Sequence, residues 1–486
     1  MNYLHRICSY SLTLFIGIGL LVGCKTATSA EIVSDQQASS TTLVNSEVKF
    51  WNTTSDQTVL FKRQNIALNF NDQPKGYVNI TVDTTQTFQT MDGFGFALTG
   101  GSATLINSLE STQKEALLKE LFLTDSTYIG TSYLRISLGA SDLSSEPFTY
   151  DEIGGTQQRD DNLEHFSMDK EVADLIPVLQ KIVALNPSIK IIATPWTAPT
   201  WMKTNKSFVG GSLRADCYDV YARYFVKYLK AMKDAGITID AITPQNEPLN
   251  AYNNPAMLMT AAEEANFIKN YLGPQLRASN LNTKIIIYDH NLDRADYPIS
   301  VLSDQDANAY VDGSAFHLYA GNIETLSTVH TSFPSKNLYF TEQYTASTGT
   351  FSTDLQWHIQ NLIIGASRNW SRNVIEWNLA SNSSLGPHTS GGCSTCLGAL
   401  TIGSSVSRNV SYYVIAHAAK FVRPGSVRIA SDINGGLQNV AFKTPNGKKV
   451  LIVLNSNSVS TTFNIHFNGK YVSPTLPAGS VGTFIW

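Results

Sequence analysis

Two glutamates stand where carboxylate chemistry could be assembled. Glu247 lies in Thr243-Pro244-Gln245-Asn246-Glu247-Pro248, and Glu342 in Tyr339-Phe340-Thr341-Glu342-Gln343. Each follows a strand-like run, Ile239 to Thr243 and Asn337 to Thr341. Two carboxyl groups flanking one bond suit cleavage of a glycosidic linkage: one protonates the leaving oxygen while the other attacks the anomeric carbon or activates water. A separation of about 5–5.5 Å leads to retention and one of about 6.5–9.5 Å to inversion, and a sequence does not give that distance. Most glutamates are solvated surface groups. Two at the ends of predicted strands four and seven would nevertheless meet if the strands closed into a barrel, because the C-terminal strand ends of such a barrel share one face.

The surrounding pattern supplies that barrel. Eight strand-like runs recur: 93–98, 133–138, 190–194, 239–243, 284–288, 311–316, 337–341 and 373–377. Several are continuously apolar, as strands of a parallel sheet covered by helices should be. Thr112-Gln113-Lys114-Glu115 and Thr260-Ala261-Ala262-Glu263 have the form of capping boxes that start intervening helices. Tyr221, Tyr224, Phe225 and Tyr228 form an aromatic stripe at helical spacing, which reads as helix-to-barrel packing. After Pro424 the helical rhythm gives way to short strands, and residues 50–89 are also strand-like, including Val59-Leu60-Phe61 and Val78 to Val82. The N-terminal strands cannot bury a face alone, so the expected fold is α/β: a (β/α)8 TIM barrel at 90–423 with an all-β sandwich assembled from 50–89 and 424–486.

The 486 residues suffice for a large domain and a smaller companion, with 43% hydrophobic and 15% charged residues. Lys and Arg number 35 against 39 Asp and Glu, a net charge of -4, so no global field attracts nucleic acid or an anionic membrane. Residues 1–23 read as an export signal, too short in apolar length to span a bilayer. Leu21-Val22-Gly23-Cys24 resembles a lipoprotein box, with Cys24 the acylated residue and 24–49 a flexible tether. The expected location is a bacterial outer membrane or cell surface, anchored through the Cys24 lipid, with a periplasmic or secreted protein as the alternative. In such a compartment Cys393 and Cys396 would close a local disulfide. Cys217 is expected to be a buried free thiol.

Longer motifs carry a resemblance. Asp92-Gly93-Phe94-Gly95, the run Pro195 to Thr204, Asn246-Glu247-Pro248, His317-Leu318-Tyr319, Thr341-Glu342 and Glu376 to Ala380 occur in order and resemble glycoside hydrolase family 30, which contains the glucosylceramidases. The resemblance implies retaining hydrolysis of β-linked sugars without metal or cofactor, with Glu247 as acid/base and Glu342 as nucleophile. It further implies that Asn246 binds the sugar 2-hydroxyl, that Asp142 accepts a sugar hydroxyl, and that Trp196 and Trp377 wall the pocket. His317 and Tyr319 belong to the expected substrate-binding set, and Arg135, with Tyr319, is expected to hold Glu342 ionised.

The implied substrate is a neutral β-linked glucoside, glycolipid or β-glucan. The run Pro195 to Thr204 and the Trp377 segment resemble glucosylceramidase and favour release of terminal β-glucose. Gly391 to Gly398 instead resembles a loop of the β-1,6-glucanase branch, so endo-β-1,6-glucanase is the alternative. A surface carbohydrate-binding protein without activity is the reading from a different class.

Overall fold

The computed structural model describes residues 43–155 and 157–486. The leader 1–23, Cys24 and most of the expected tether therefore lie outside the described residues. Among the described residues no helix is long and apolar enough to cross a membrane. Val48 is buried and its N–H donates to the Leu68 carbonyl over 2.9 Å, so the packed body begins ahead of Phe50.

Eight parallel strands close into a barrel: Gly93–Ala97, Tyr133–Ser137, Lys190–Thr194, Ala241–Ile242, Lys284–Asn291, Val311–His317, Asn337–Glu342 and Ser371–Asn378, with the eighth pairing back onto the first. Side chains alternate in and out along each strand. Tyr133, Ile192, Ala241, Ile286, Ala315, Tyr339 and Ile375 pack together as one layer inside the barrel, and Arg135, two residues beyond Tyr133, belongs to the layer above. Gly95 of the Asp92-to-Gly95 motif is where the first two strands approach most tightly: a Cβ there would lie 1.8 Å from the Tyr133 carbonyl oxygen. Asp92 itself accepts a two-pronged contact from Arg372, at 2.8 and 3.0 Å.

The terminal strands form one sheet, as their inability to bury a face alone predicts. Lys49–Thr53 pairs antiparallel with Val481–Ile485, and Asn79–Thr90 pairs antiparallel with Val427–Ser431. Leu451 and Val453 enter the core of this sheet domain, whereas Val450, Ile452 and Leu454 join the barrel core. Burial on both faces explains why the strand Lys449–Asn455 reads as a continuous apolar run. His417 ties the two parts together, its Nδ1 and Nε2 each 2.8 Å from the hydroxyls of Thr483 and Thr53.

Two local expectations differ from the structure. Thr260 makes the anticipated reciprocal capping box with Glu263, but the earlier helix begins at Ser111 with Glu110 at its cap and no side-chain capping bond, which places Thr112 inside the first turn. Val59 to Phe61 is not a strand: pairing starts at Lys62–Arg63, and Phe61 has a positive φ that interrupts the extended backbone. The aromatic stripe behaves as expected. Tyr221, Tyr224, Phe225 and Tyr228 are fully buried, with Tyr150 and Phe267 stacked against them.

Candidate active site

The C-terminal strand ends open onto a cavity of about 480 Å³ lined by Asp142, Trp196, Glu247, Tyr319, Glu342 and Trp377, six of the residues anticipated from sequence. Leu249, Asn250, Tyr252, Asn253, His290, Asn291, Tyr344 and the segment Gly391 to Cys393 with Cys396 complete its wall. Trp196 and Trp377 stack with ring centres 5.4 Å apart, and the Arg135 guanidinium lies 4.9 Å from the Trp196 ring centre.

Irregular pairing marks the strand ends that deliver polar groups. Register shifts occur between Tyr288 and His290, between Phe340 and Glu342, and between Glu376 and Asn378. Such bulges re-aim side chains beside active sites. Glu376 points away from the cavity and pairs with buried His358 at 2.7 Å, which leaves Trp377 to face inward. Trp201 sits behind the wall, its indole N–H donating to the Asp151 carbonyl over 2.9 Å.

Glu247 and Glu342 converge. Together with His317 they offer atoms that all lie within 4.8 Å of one another. Glu342 Oε2 accepts from Arg135 Nη1 at 2.5 Å and Oε1 from the Tyr319 hydroxyl at 2.9 Å. Glu247 Oε2 accepts from Asn250 Nδ2 at 2.8 Å, and its Oε1 lies 3.2 Å from His317 Nδ1. Arg135 Nη2 donates onward to Asn246 Oδ1 at 2.6 Å and Asp289 Oδ2 at 2.8 Å.

Asp289 is the member that sequence reasoning missed. It is fully buried and also accepts from the hydroxyls of Thr243 and Thr341, at 2.9 and 2.6 Å, while its Oδ1 lies 3.1 Å from His317 Nε2. A polar Asp289-His290-Asn291 run directly after an apolar strand was the available signal. The strand in fact continues to Asn291. His317, expected to touch substrate, is fully buried with both ring nitrogens facing carboxylates, so it supports the wall instead of forming it. Asn246 likewise stands outside the cavity lining.

The electrostatics set the two glutamates apart. Burial raises Glu342 above its ordinary value although His317, Arg135 and Tyr319 oppose it. Burial also works against ionised Glu247, but the hydrogen bond and charge of His317 overcome it and bring the carboxyl down to about 2. His317 resists charging because it is buried, yet the field of Glu342 and its bonds to Asp289 and Glu247 raise it to about 9. Asp289 stays well below the carboxylate range because Arg135 and His317 outweigh its burial. A ring flanked by two carboxylates can donate to both only as imidazolium. The field of these carboxylates favours the proton on His317, between Glu247 and Asp289, and the pair Glu247–His317 titrates as a unit. Asp142 is pushed up to about 7 by burial, with the Glu342 charge adding to it.

Comparison with known proteins places the chain. Residues 91–422 match the glycosyl hydrolase family 30 TIM-barrel domain and residues 425–484 the glycosyl hydrolase family 30 beta sandwich domain. The chain belongs to glycoside hydrolase family 30. This family 30 hydrolase is similar to an endo-1,6-β-D-glucanase of Aspergillus fumigatus, 35% identical over 440 residues that cover 84% of this chain and 87% of that protein. It is 29% identical to the lysosomal acid glucosylceramidase of Mus musculus over 438 residues, covering 84% and 83% of the two chains. A solved endo-β-1,6-glucanase superposes with a TM-score of 0.85 at 36% identity, covering 91% of this chain and 99% of the other.

Proposed function

We propose that the protein is a retaining β-glycosidase acting on β-1,6-linked glucan, with Glu342 as nucleophile and Glu247 as acid and base. The observation that carries the retaining assignment is the approach of Glu247 and Glu342 oxygens to within 4.8 Å, which suits direct attack and leaves too little room for a water between sugar and base. Glu342 attacks the anomeric carbon while the glycosidic oxygen takes a proton from Glu247, to which His317 Nδ1 has passed it over 3.2 Å. Water then attacks the glycosyl-enzyme, gives its proton back to Glu247, and frees Glu342. A proton moving from His317 to Glu247 turns the carboxylate into an acid without solvent access. Glu342 keeps the Arg135 and Tyr319 contacts that orient it and stabilise the carboxylate it becomes on release.

Asn246 stands outside the cavity lining with its Oδ1 held by Arg135; its amide is the group assigned to the sugar 2-hydroxyl once substrate is seated, where a bond that tightens in the transition state lowers the barrier. Asp142 accepts another sugar hydroxyl, and Trp196 and Trp377 cover the apolar sugar face. The glucosylceramidase-like specificity expected from the Pro195 and Trp377 segments gives way to the glucanase reading. Identity is higher to the endo-β-1,6-glucanases, 35% and 36%, than to the mammalian glucosylceramidase, 29%, and Gly391 to Cys393 and Cys396 stand in the pocket wall. Acylation at Cys24 and surface attachment remain part of the proposal, tested by the mass of the mature N-terminus.

The specificity test compares β-1,6-gluco-oligosaccharides, glucosylceramide and β-xylosides with product resolution. Cleavage of the 1,6-linked series at the highest kcat/KM is expected. Preferential release of glucose from glucosylceramide would overturn the glucan assignment and leave the retaining mechanism intact.

A further inference from the structure

After the eighth barrel strand, residues 389–396 form a strap along the cavity wall, tied to the segments that follow three other barrel strands. The Thr389 N–H donates to the Asp142 carbonyl over 2.8 Å, and the Thr389 hydroxyl to the Asn254 carbonyl over 2.5 Å. Cys396–Leu397 pairs antiparallel with Thr345–Ala346. Between these anchors the Cys393 N–H donates to Asp142 Oδ2 over 3.2 Å, and Cys393 is joined to Cys396 by a disulfide.

The fit is close. A Cβ on Gly392 would lie 2.4 Å from the Asp142 carbonyl oxygen, so this position requires glycine for the strap to approach. Cys396 is 3% exposed and packs with Trp196, Trp377 and Leu143. One half of the disulfide is thus fixed in the pocket wall, and the other carries the N–H that meets Asp142. The cross-link transmits the rigidity of the wall to that donor, because closing the short loop removes the freedom of residues 393–395.

We infer that the disulfide-closed strap is the positioning element of Asp142: it holds the carboxylate, through the Cys393 N–H, in the orientation that receives a sugar hydroxyl, and breaking the disulfide weakens sugar binding without stopping chemistry. This rests on the sugar-accepting role proposed for Asp142. The strap stays docked through Thr389 and the Cys396–Leu397 ladder when the bond opens, so only its tip loosens. Dithiothreitol supplies the two electrons and two protons. One of its thiolates attacks a sulfur, its second thiol resolves the mixed disulfide, and Cys393 and Cys396 are left as thiols beside the cyclic oxidised reductant.

The test uses the full chain, untreated and after reduction with iodoacetamide capping verified by peptide mass, beside Cys393→Ser/Cys396→Ser, Asp142→Asn and the triple variant. KM and kcat are measured on 4-nitrophenyl β-glucoside and on a β-1,6-gluco-oligosaccharide. Opening the disulfide should raise KM about 10-fold, the scale of one hydrogen bond to a charged group, with kcat unchanged, and reoxidation of uncapped protein should restore KM. In the Asp142→Asn background the cysteine substitutions should add nothing further, which a general loosening of the fold would not reproduce. An unchanged KM on reduction, with Asp142→Asn impaired, would overturn the strap's role alone; an unaffected Asp142→Asn would remove the sugar-accepting reading beneath it. Should the serine variants fail to fold, the reduced wild-type protein carries the measurement.

Discussion

The main-chain N–H of Glu247 donates to the main-chain carbonyl of Asp289 over 3.0 Å, and both residues sit in the left-handed region, with φ of 45° and 57°. Non-glycine residues adopt that backbone only where the surroundings enforce it. Glu264, fully buried, enforces it from behind: its Oε1 accepts the N–H of Tyr288, which also has a positive φ, over 3.2 Å. Burial pushes the Glu264 carboxyl up to about 8, which favours its neutral form. Glu264→Gln, a neutral acceptor of similar shape, should therefore leave kcat close to wild type. Glu264→Leu should leave the Tyr288 N–H unpaired at a cost of about 1–3 kcal/mol and lower kcat, which thermal midpoints and initial rates together will show.

Arg135 holds Glu342, Asp289 and Asn246 at once inside the barrel. Arg135→Met would leave two buried carboxylates without their cation, a loss of about 3–5 kcal/mol of stability, read from urea unfolding. A loss below about 1 kcal/mol would mean the carboxylates find other partners.

The pH profile of kcat/KM should be a bell. Its acid limb follows deprotonation of Glu342, which lies above the ordinary glutamate value of 4.5. Its alkaline limb follows loss of the proton shared by Glu247 and His317, with His317 raised to about 9. His317→Asn removes the charge that depresses Glu247, and burial then raises that carboxyl so that it holds its own proton. The alkaline limb should consequently move acidward; an unmoved limb would disconnect His317 from the catalytic proton.

At the seam between barrel and sheet domain, burial lowers His417 to about 3 and keeps it neutral between two threonine hydroxyls. A base whose folded value lies below its unfolded value near 6.5 confers stability that is whole above pH 6.5 and falls as pH drops toward 3. Thermal midpoints of the wild type should decline over that window, and His417→Gln should decline less steeply.

The barrel was legible because its strands are apolar runs separated by helical segments, and Glu247 and Glu342 because each follows such a run on the C-terminal side. Asp289 was not, since the bulge at Tyr288 extends the fifth strand past its apolar segment and no periodicity signals a bulge. The electrostatic contrast between the two glutamates escaped for a similar reason. Arg135 and Tyr319 beside Glu342 were readable as supports, but the weight of burial and the position of His317 against Glu247 arise only when the strand ends converge. The strap's contact with Asp142 joins residues 251 positions apart, and glycine at 392 gave only a composition cue.

Incubation with an activated 2-deoxy-2-fluoro-β-glucoside, followed by mass spectrometry of the proteolytic peptides, tests the double-displacement assignment most directly. A single fluoroglucosyl adduct on the peptide containing Glu342, placed on that residue by fragmentation and absent in Glu342→Gly, is the expected result. An adduct on another carboxylate, with Glu342 unlabelled, would contradict it.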